Sequence, residues 1–96
     1  MLLANRPLLR DFAQSHARAK KQLENWEAVV QKAHWSSPNE LKRSFSRKAS
    51  VLKGGNVIFD ICGNDYRIWT KIDFEREVVM VKRVGTHQEY DNWKIT

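Results

Sequence analysis

The hydrophobic period changes once along this chain, near residue 56. Before that point apolar side chains return every three or four positions. In "ARAKKQLENWEAVVQKAHW", Ala19, Leu23, Trp26, Val30 and Ala33 form one stripe, the mark of an amphipathic helix. After it the period is two. Val57, Phe59 and Ile61 alternate with Ile58, Asp60 and Cys62, and then Tyr66, Ile68, Thr70 and Ile72 alternate with Arg67, Trp69 and Lys71. "GND" between these runs predicts a hairpin turn, with Gly63 and Asn64 taking positive φ. A further turn near Asp73 to Glu77 leads into "VVMVKRV", a third strand. Helices followed by short-turn strands segregate into an α+β fold whose strands pair antiparallel with their neighbours.

The flanking segments extend this frame. "LLAN" at Leu2 to Asn5 predicts a short first strand, and Pro7 suits the first turn of a helix carrying Leu8, Leu9 and Phe12. A break near Ser15 and His16 separates it from the second helix. "SSPNELKRSF" predicts a single capped turn, with Ser37 as cap, Pro38 at its start and Glu40 three residues beyond the cap. "SRKASVLKGGN" reads as a loop, and a short helix is expected to begin near Thr86. The expected architecture is thus an N-terminal strand, two helices, an antiparallel three-stranded meander and a short C-terminal helix, in one domain over residues 1–96. No repeat, low-complexity tract or linker interrupts it.

The chain carries a formal net charge of +6, with a pI of about 9.8. That balance favours a polyanionic partner such as nucleic acid, an acidic protein or a membrane surface. No apolar run reaches the roughly 20 residues that span a bilayer, and "MLLANRPLLRDF" lacks the long apolar stretch of a signal peptide. One cysteine, Cys62, excludes an internal disulfide framework and reads best as a small apolar packing residue. A cytoplasmic location fits.

Three features could carry chemistry. Lys42, Arg43, Arg47, Lys48 and Lys53 form a basic stretch free of acids, suited to RNA phosphates or simply to solvent. Arg67 lies inside an apolar strand, so it must point to an open face or pair with a carboxylate; held rigidly, its fork suits a phosphate. His87 and Tyr90 stand three apart, on one face of a helix begun near Thr86. Histidine as a residue type can hold or move a proton near neutral pH, and tyrosine can donate a hydrogen bond or stack on a base. A terminal turn covering the sheet edge would also account for the pair. The start of one meander strand lies beside the end of the next, so Arg67 and His87 are expected to meet, close to the basic loop. The histidines His16, His34 and His87 have no metal-ligand spacing around the cysteine, no phosphate-binding glycine motif is present, and no cofactor is expected.

These residues resemble the HigB-type toxins of the RelE superfamily, messenger-RNA interferases of type II toxin–antitoxin systems. The resemblance rests on "F-x-I-x-G-N-x-Y-R", Phe59 to Arg67, followed by "V-G-T-H-x-E-Y-D", Val84 to Asp91, with "LRDF" and the tryptophan-bearing second helix upstream. It implies a RelE-like fold: a twisted antiparallel sheet with an N-terminal edge strand, two helices on one face and an active-site groove on the other. It implies a toxin that cuts messenger RNA on the translating 70S ribosome, neutralised by a HigA-type antitoxin, a helix-turn-helix protein through which alone operator DNA is bound. No membrane partner is implied. By the same resemblance Arg67 steadies the scissile phosphate, His87 acts on the leaving group or phosphate, Tyr90 is catalytic or stacks on a base, Lys82 is a further active-site cation, and Trp69 joins the basic stretch in holding RNA.

The resemblance implies metal-independent cleavage in which the RNA's own 2′-OH attacks the adjacent phosphate, giving a 2′,3′-cyclic phosphate and a 5′-hydroxyl. The strand "VIFDIC" has no lysine where better-known superfamily members have lysines, so the general base stays open among Asp60, Tyr90 and a distant lysine. The rival reading is a non-catalytic basic module that binds RNA or the ribosome.

Overall fold

The computed structural model describes residues 1–96. In chain order its elements are β1 (Leu2–Ala4), α1 (Pro7–Ser15), α2 (Lys20–Lys32), α3 (Pro38–Phe45), β2 (Ala49–Val51), β3 (Asn56–Ile61), β4 (Tyr66–Asp73), β5 (Val78–Thr86) and α4 (His87–Tyr90). The five strands form one sheet in the order β1-β5-β4-β3-β2. Strands β3, β4 and β5 are the expected antiparallel meander, and β1 is the expected edge strand. It runs parallel to β5, with Leu3 opposite Val79, so the sheet is mixed rather than wholly antiparallel.

Two local expectations differ from the structure. The capped turn at Ser37 continues into the eight-residue α3, because Leu41 is fully buried and fixes the helix on the core. Ser37 Oγ accepts from Glu40 N–H at 3.4 Å as foreseen. The backbone N–H and hydroxyl of Ser36 both donate to the Glu40 carboxylate and hold its pKa below the ordinary value. The segment read as a loop contains β2, whose Ala49 pairs with Phe59 at the second sheet edge. A three-residue strand is too short to show a period.

The alternation works because one sheet face is dry. Val57, Phe59, Ile61, Tyr66, Ile68, Ile72, Val79 and Val81 face the helices and pack with Leu9, Leu23, Trp26, Val30, Trp35 and Leu41. Phe59 is the centre. Its ring lies 5.2 Å from Trp26 and 4.8 Å from Phe45, both edge-to-face, a geometry worth about 0.5–1.5 kcal/mol per pair beyond area. The β3–β4 turn takes positive φ at Cys62 and Gly63 rather than at Gly63 and Asn64. Gln22 on α2 accepts from the Cys62 N–H at 2.8 Å, which supports the unfavourable conformation at a residue with a Cβ. Cys62 itself is half-buried at the rim of the core.

One irregularity breaks the β4–β5 ladder. Trp69 pairs with Arg83 but Thr70 pairs with Val81, leaving Lys82 as the extra residue of a bulge. Bulges let successive side chains of one strand share a face. Lys82 and Arg83 accordingly line one cavity on the side of the sheet away from the helices.

Phe59→Ala removes the ring that both helical aromatics grip, and unfolding by urea should show a loss of roughly 3–5 kcal/mol. Asn56→Ala should cost roughly 1–3 kcal/mol. Asn56 is buried, accepts from Trp69 Nε1 at 2.9 Å and donates to the Lys53 and Thr96 carbonyls at 2.8 and 3.0 Å. A change under roughly 0.5 kcal/mol in either variant would contradict this account of the packing.

Candidate active site

The meander brings Asp60, Arg67 and Gly85 side by side across β3, β4 and β5 on the open face. Arg67 is only 8% exposed, so its charge needs partners. Its Nε donates to Asp60 Oδ1 at 3.1 Å. One terminal nitrogen donates to the Asn64 carbonyl of the turn, and the other to His87 Nδ1 at 3.2 Å. The guanidinium carbon lies 5.2 Å from the centre of the Tyr90 ring, in cation–π contact. Those hydrogen bonds use three N–H groups; a guanidinium has five, so two are left for an anion. The expected meeting of Arg67 with His87 and Tyr90 therefore occurs, with Asp60 as the fourth member.

Local sequence explains why His87 and Tyr90 sit there. Thr86 and Glu89 cap α4 reciprocally: Glu89 N–H donates to Thr86 Oγ1 at 3.1 Å and Thr86 N–H donates to Glu89 Oε1 at 2.8 Å. The T-x-x-E spacing was the signal in the sequence. The His87 N–H donates to the Asp65 carbonyl at 2.9 Å and ties α4 to the β3–β4 turn. Outside that turn Arg18 reaches Asp65 Oδ2 at 3.1 Å, a hydrogen bond that raises the Arg18 pKa above its ordinary value. Gly85 is required by close approach: a Cβ there would lie 2.7 Å from Trp93 Cζ2 and 3.2 Å from Glu89 Cβ.

An arginine can only donate, so His87 Nδ1 accepts, and the ring hydrogen in this arrangement is on Nε2. His87 is exposed, whereas Arg67 is not. Asp60 is engaged by Arg67, while the Tyr90 hydroxyl has no hydrogen-bond partner. The cluster thus combines a clamped cation, a solvent-facing imidazole and a free phenol.

The other sequence-derived candidates divide. Lys82 does not join the Arg67 cluster. It lies further along the face with Trp69, Arg83, Asn92, Trp93 and Lys94, around a cavity of about 450 Å³. Lys42 and Arg43 are exposed on the last turn of α3, and Arg47 and Lys48 are exposed on the turn that follows it. Lys48 shares a cleft with Asp60, which brings that end of the basic stretch near the cluster. Lys53 is exposed beyond the far end of β2. Sequence reasoning missed Arg83 and Trp93. Two adjacent cations in an apolar strand, "VKRV", would bury one of them unless a bulge intervened, and that was the available signal for Arg83.

Residues 19–93 match the family model described as HigB_toxin, RelE-like toxic component of a toxin-antitoxin system. Among curated proteins the chain is 27% identical over 92 residues to the mRNA interferase toxin HigB of Escherichia coli strain K12, covering 95% of this chain and 88% of the relative. It has the same identity and coverage with proteins named mRNA interferase HigB from Escherichia coli O157:H7 and Shigella flexneri. With a family match over most of its length, the chain belongs to the HigB family of RelE-like toxins, the toxic components of toxin–antitoxin systems.

Proposed function

We propose that this toxin is an endoribonuclease that cleaves messenger RNA on the 70S ribosome, without a metal ion, by attack of a 2′-OH on the adjacent phosphate. The observation that carries the reading is the Arg67 cluster, in which a nearly buried guanidinium keeps two N–H groups free beside an exposed histidine. The names of the curated relatives support the substrate class. The fold has no helix long and apolar enough to cross a membrane, and action on translating ribosomes belongs to the cytoplasm.

The roles follow from the contacts. Arg67 grips the non-bridging oxygens of the scissile phosphate and stabilises charge as the phosphorane develops. Asp60, tied to Arg67 Nε, positions the fork and is a poor choice for base. The unpartnered Tyr90 hydroxyl is the stronger candidate to receive the 2′-OH proton, and His87 gives a proton to the leaving 5′-oxygen. Protonation of His87 at Nδ1 breaks its contact with Arg67 and frees a further guanidinium N–H. The acid and the phosphate grip therefore arise together. The bond formed is 2′-O to phosphorus and the bond broken is phosphorus to 5′-O, leaving a 2′,3′-cyclic phosphate and a 5′-hydroxyl.

A toxin of this family has an antitoxin as its counterpart. We assign that role to a HigA-type helix-turn-helix protein, which shields the basic surface and alone carries the pair to operator DNA. The purified complex should be inactive, and removal of the antitoxin should restore cleavage. A complex as active as the free toxin would overturn this.

Arg67→Lys and His87→Gln should each relieve growth arrest and lower cleavage by roughly 10²-fold or more. His87→Gln alters an exposed side chain and should leave the melting temperature unchanged. Arg67→Lys also loses the Asp60 fork, and rates must be compared per folded molecule. Tyr90→Phe keeps the ring under Arg67; a small loss would make it a stacking platform and a large one a proton carrier. Cleavage should persist in excess chelator. Folded His87→Gln and Arg67→Lys proteins that both arrest growth at wild-type expression would refute the assignment and favour a non-catalytic binder.

RNA affinity should fall steeply with salt, by about 0.7 in the log–log slope for each phosphate contacted on a single strand. Replacing Lys82 and Arg83 by Gln should flatten that slope. Neutralising Lys42, Arg43, Arg47, Lys48 and Lys53 together tests the basic stretch by the same measurement, and an unchanged slope would mark it as solvated surface.

A further inference from the structure

Trp93 follows α4 and is the one aromatic outside the meander that lies across its open face. Its ring centre is 6.2 Å from that of Trp69, tilted by 32°, and 5.7 Å from that of Tyr90, edge-on. Three features fix it there. Gly85 has no side chain beneath it, and any Cβ at that position would collide with it. The backbone N–H of Trp93 donates to the Tyr90 carbonyl at 3.0 Å. Beyond it, the Thr96 carbonyl accepts from Asn56 Nδ2 at 3.0 Å and from Lys71 Nζ at 3.2 Å, so the segment after α4 is pinned to the sheet at both ends.

Trp69 is fixed as well. Its N–H is committed to Asn56 Oδ1 at 2.9 Å and it is only 8% exposed, so it serves as a floor. Trp93 is half-buried and serves as a wall. Lys82, Arg83 and Lys94 line the same cavity of about 450 Å³ and make no ion pair or side-chain hydrogen bond. Asn92 uses its Nδ2 to reach the Gln88 carbonyl at 3.3 Å, which leaves its Oδ1 as a free acceptor at the edge of that cavity. Trp69 lies two residues from Arg67 along β4, about 6.6 Å at the usual rise of a strand. That is about the reach of one nucleotide from the phosphate at Arg67.

We infer that the Trp69–Trp93 cavity is a subsite for the nucleotide next to the scissile phosphate, in which an unpaired base stacks against Trp93 over Trp69 while Lys82 and Arg83 hold its phosphate. An aromatic wall rimmed by unpaired cations is the arrangement that recognises single-stranded nucleic acid. Arg83 and the Asn92 oxygen give the base edge both donors and an acceptor, so the subsite sets the position of cleavage as well as affinity. The inference rests on the endoribonuclease reading above and adds a binding residue, Trp93, that takes no part in proton transfer.

The test compares wild type, Trp93→Ala and Trp93→Phe in the full chain, with cleavage positions mapped on one messenger and kcat and KM measured on it. Trp93→Ala should raise KM roughly 10- to 100-fold, the effect of losing one stacked base, with a smaller change in kcat and an unaltered pH–rate profile. Trp93→Phe should recover most of the affinity. The nucleotide preference beside the cut should flatten in Trp93→Ala and nowhere else along the message. Should Trp93→Ala melt early, Trp93→Phe and a second measurement decide: quenching of tryptophan fluorescence by a non-cleavable 2′-deoxy trinucleotide in His87→Gln protein. Quenching that Trp93→Phe reduces supports the subsite even if the wild-type chain proves unable to cut RNA, an outcome that would sink the nuclease reading alone. Wild-type KM and an unchanged pattern of cuts in folded Trp93→Ala, or no quenching by the trinucleotide, would overturn the subsite.

Discussion

The ion pair between Arg67 and Asp60 organises the open face of the sheet. A guanidinium this deeply covered is tolerable only if its N–H groups are answered, and the answers come from three separate parts of the chain. Asp60 arrives by strand register, Asn64 by the hairpin turn, and His87 by a helix that starts where β5 stops. Each partner fixes a different edge of the fork. The charge is costly to bury, yet its burial makes it rigid, and rigidity is what a group that must meet a developing oxyanion requires.

The helix face supplies the stability that this arrangement spends. Phe59 and its two edge-on aromatic neighbours hold β3 against α2 and α3. Because the period of a strand is two, the residues beside Phe59 are thereby committed to the other side. Asp60 is adjacent to Phe59, and Arg67 is adjacent to Ile68, which is itself fully buried. Core packing thus aims the polar cluster without touching it.

Much of this was legible in the residues. The change of period gave the helices, the meander and their order, and placing Arg67 near a strand start and His87 just past a strand end was enough to expect their contact. What stayed hidden has physical reasons. Strand β2 is too short to show alternation, and α3 looked like one turn because a single buried leucine, Leu41, decides its length. Lys82 was taken as part of the cluster, yet the bulge sets it with the tryptophans instead. Trp93 lies after the last periodic segment, and its place on the sheet depends on an empty position at Gly85 and on tail contacts with Asn56 and Lys71. Contacts of that kind have no signature in local pattern.

The extra residue in β5 also sets the parity of everything downstream. Up to Val81 the odd-numbered positions of this strand face the helices; after the bulge the even ones do, with Val84 packed against the core and Gly85 opposite Arg67. Loss of one residue at this point would read the rest of the strand in the other frame. Arg83 would turn toward the apolar side, Val84 toward water, and the histidine would start its helix from the wrong edge. The domain therefore carries a one-residue frame that no substitution can shift, and a single-codon deletion near Lys82 would disarm it while leaving every proposed catalytic side chain in the sequence.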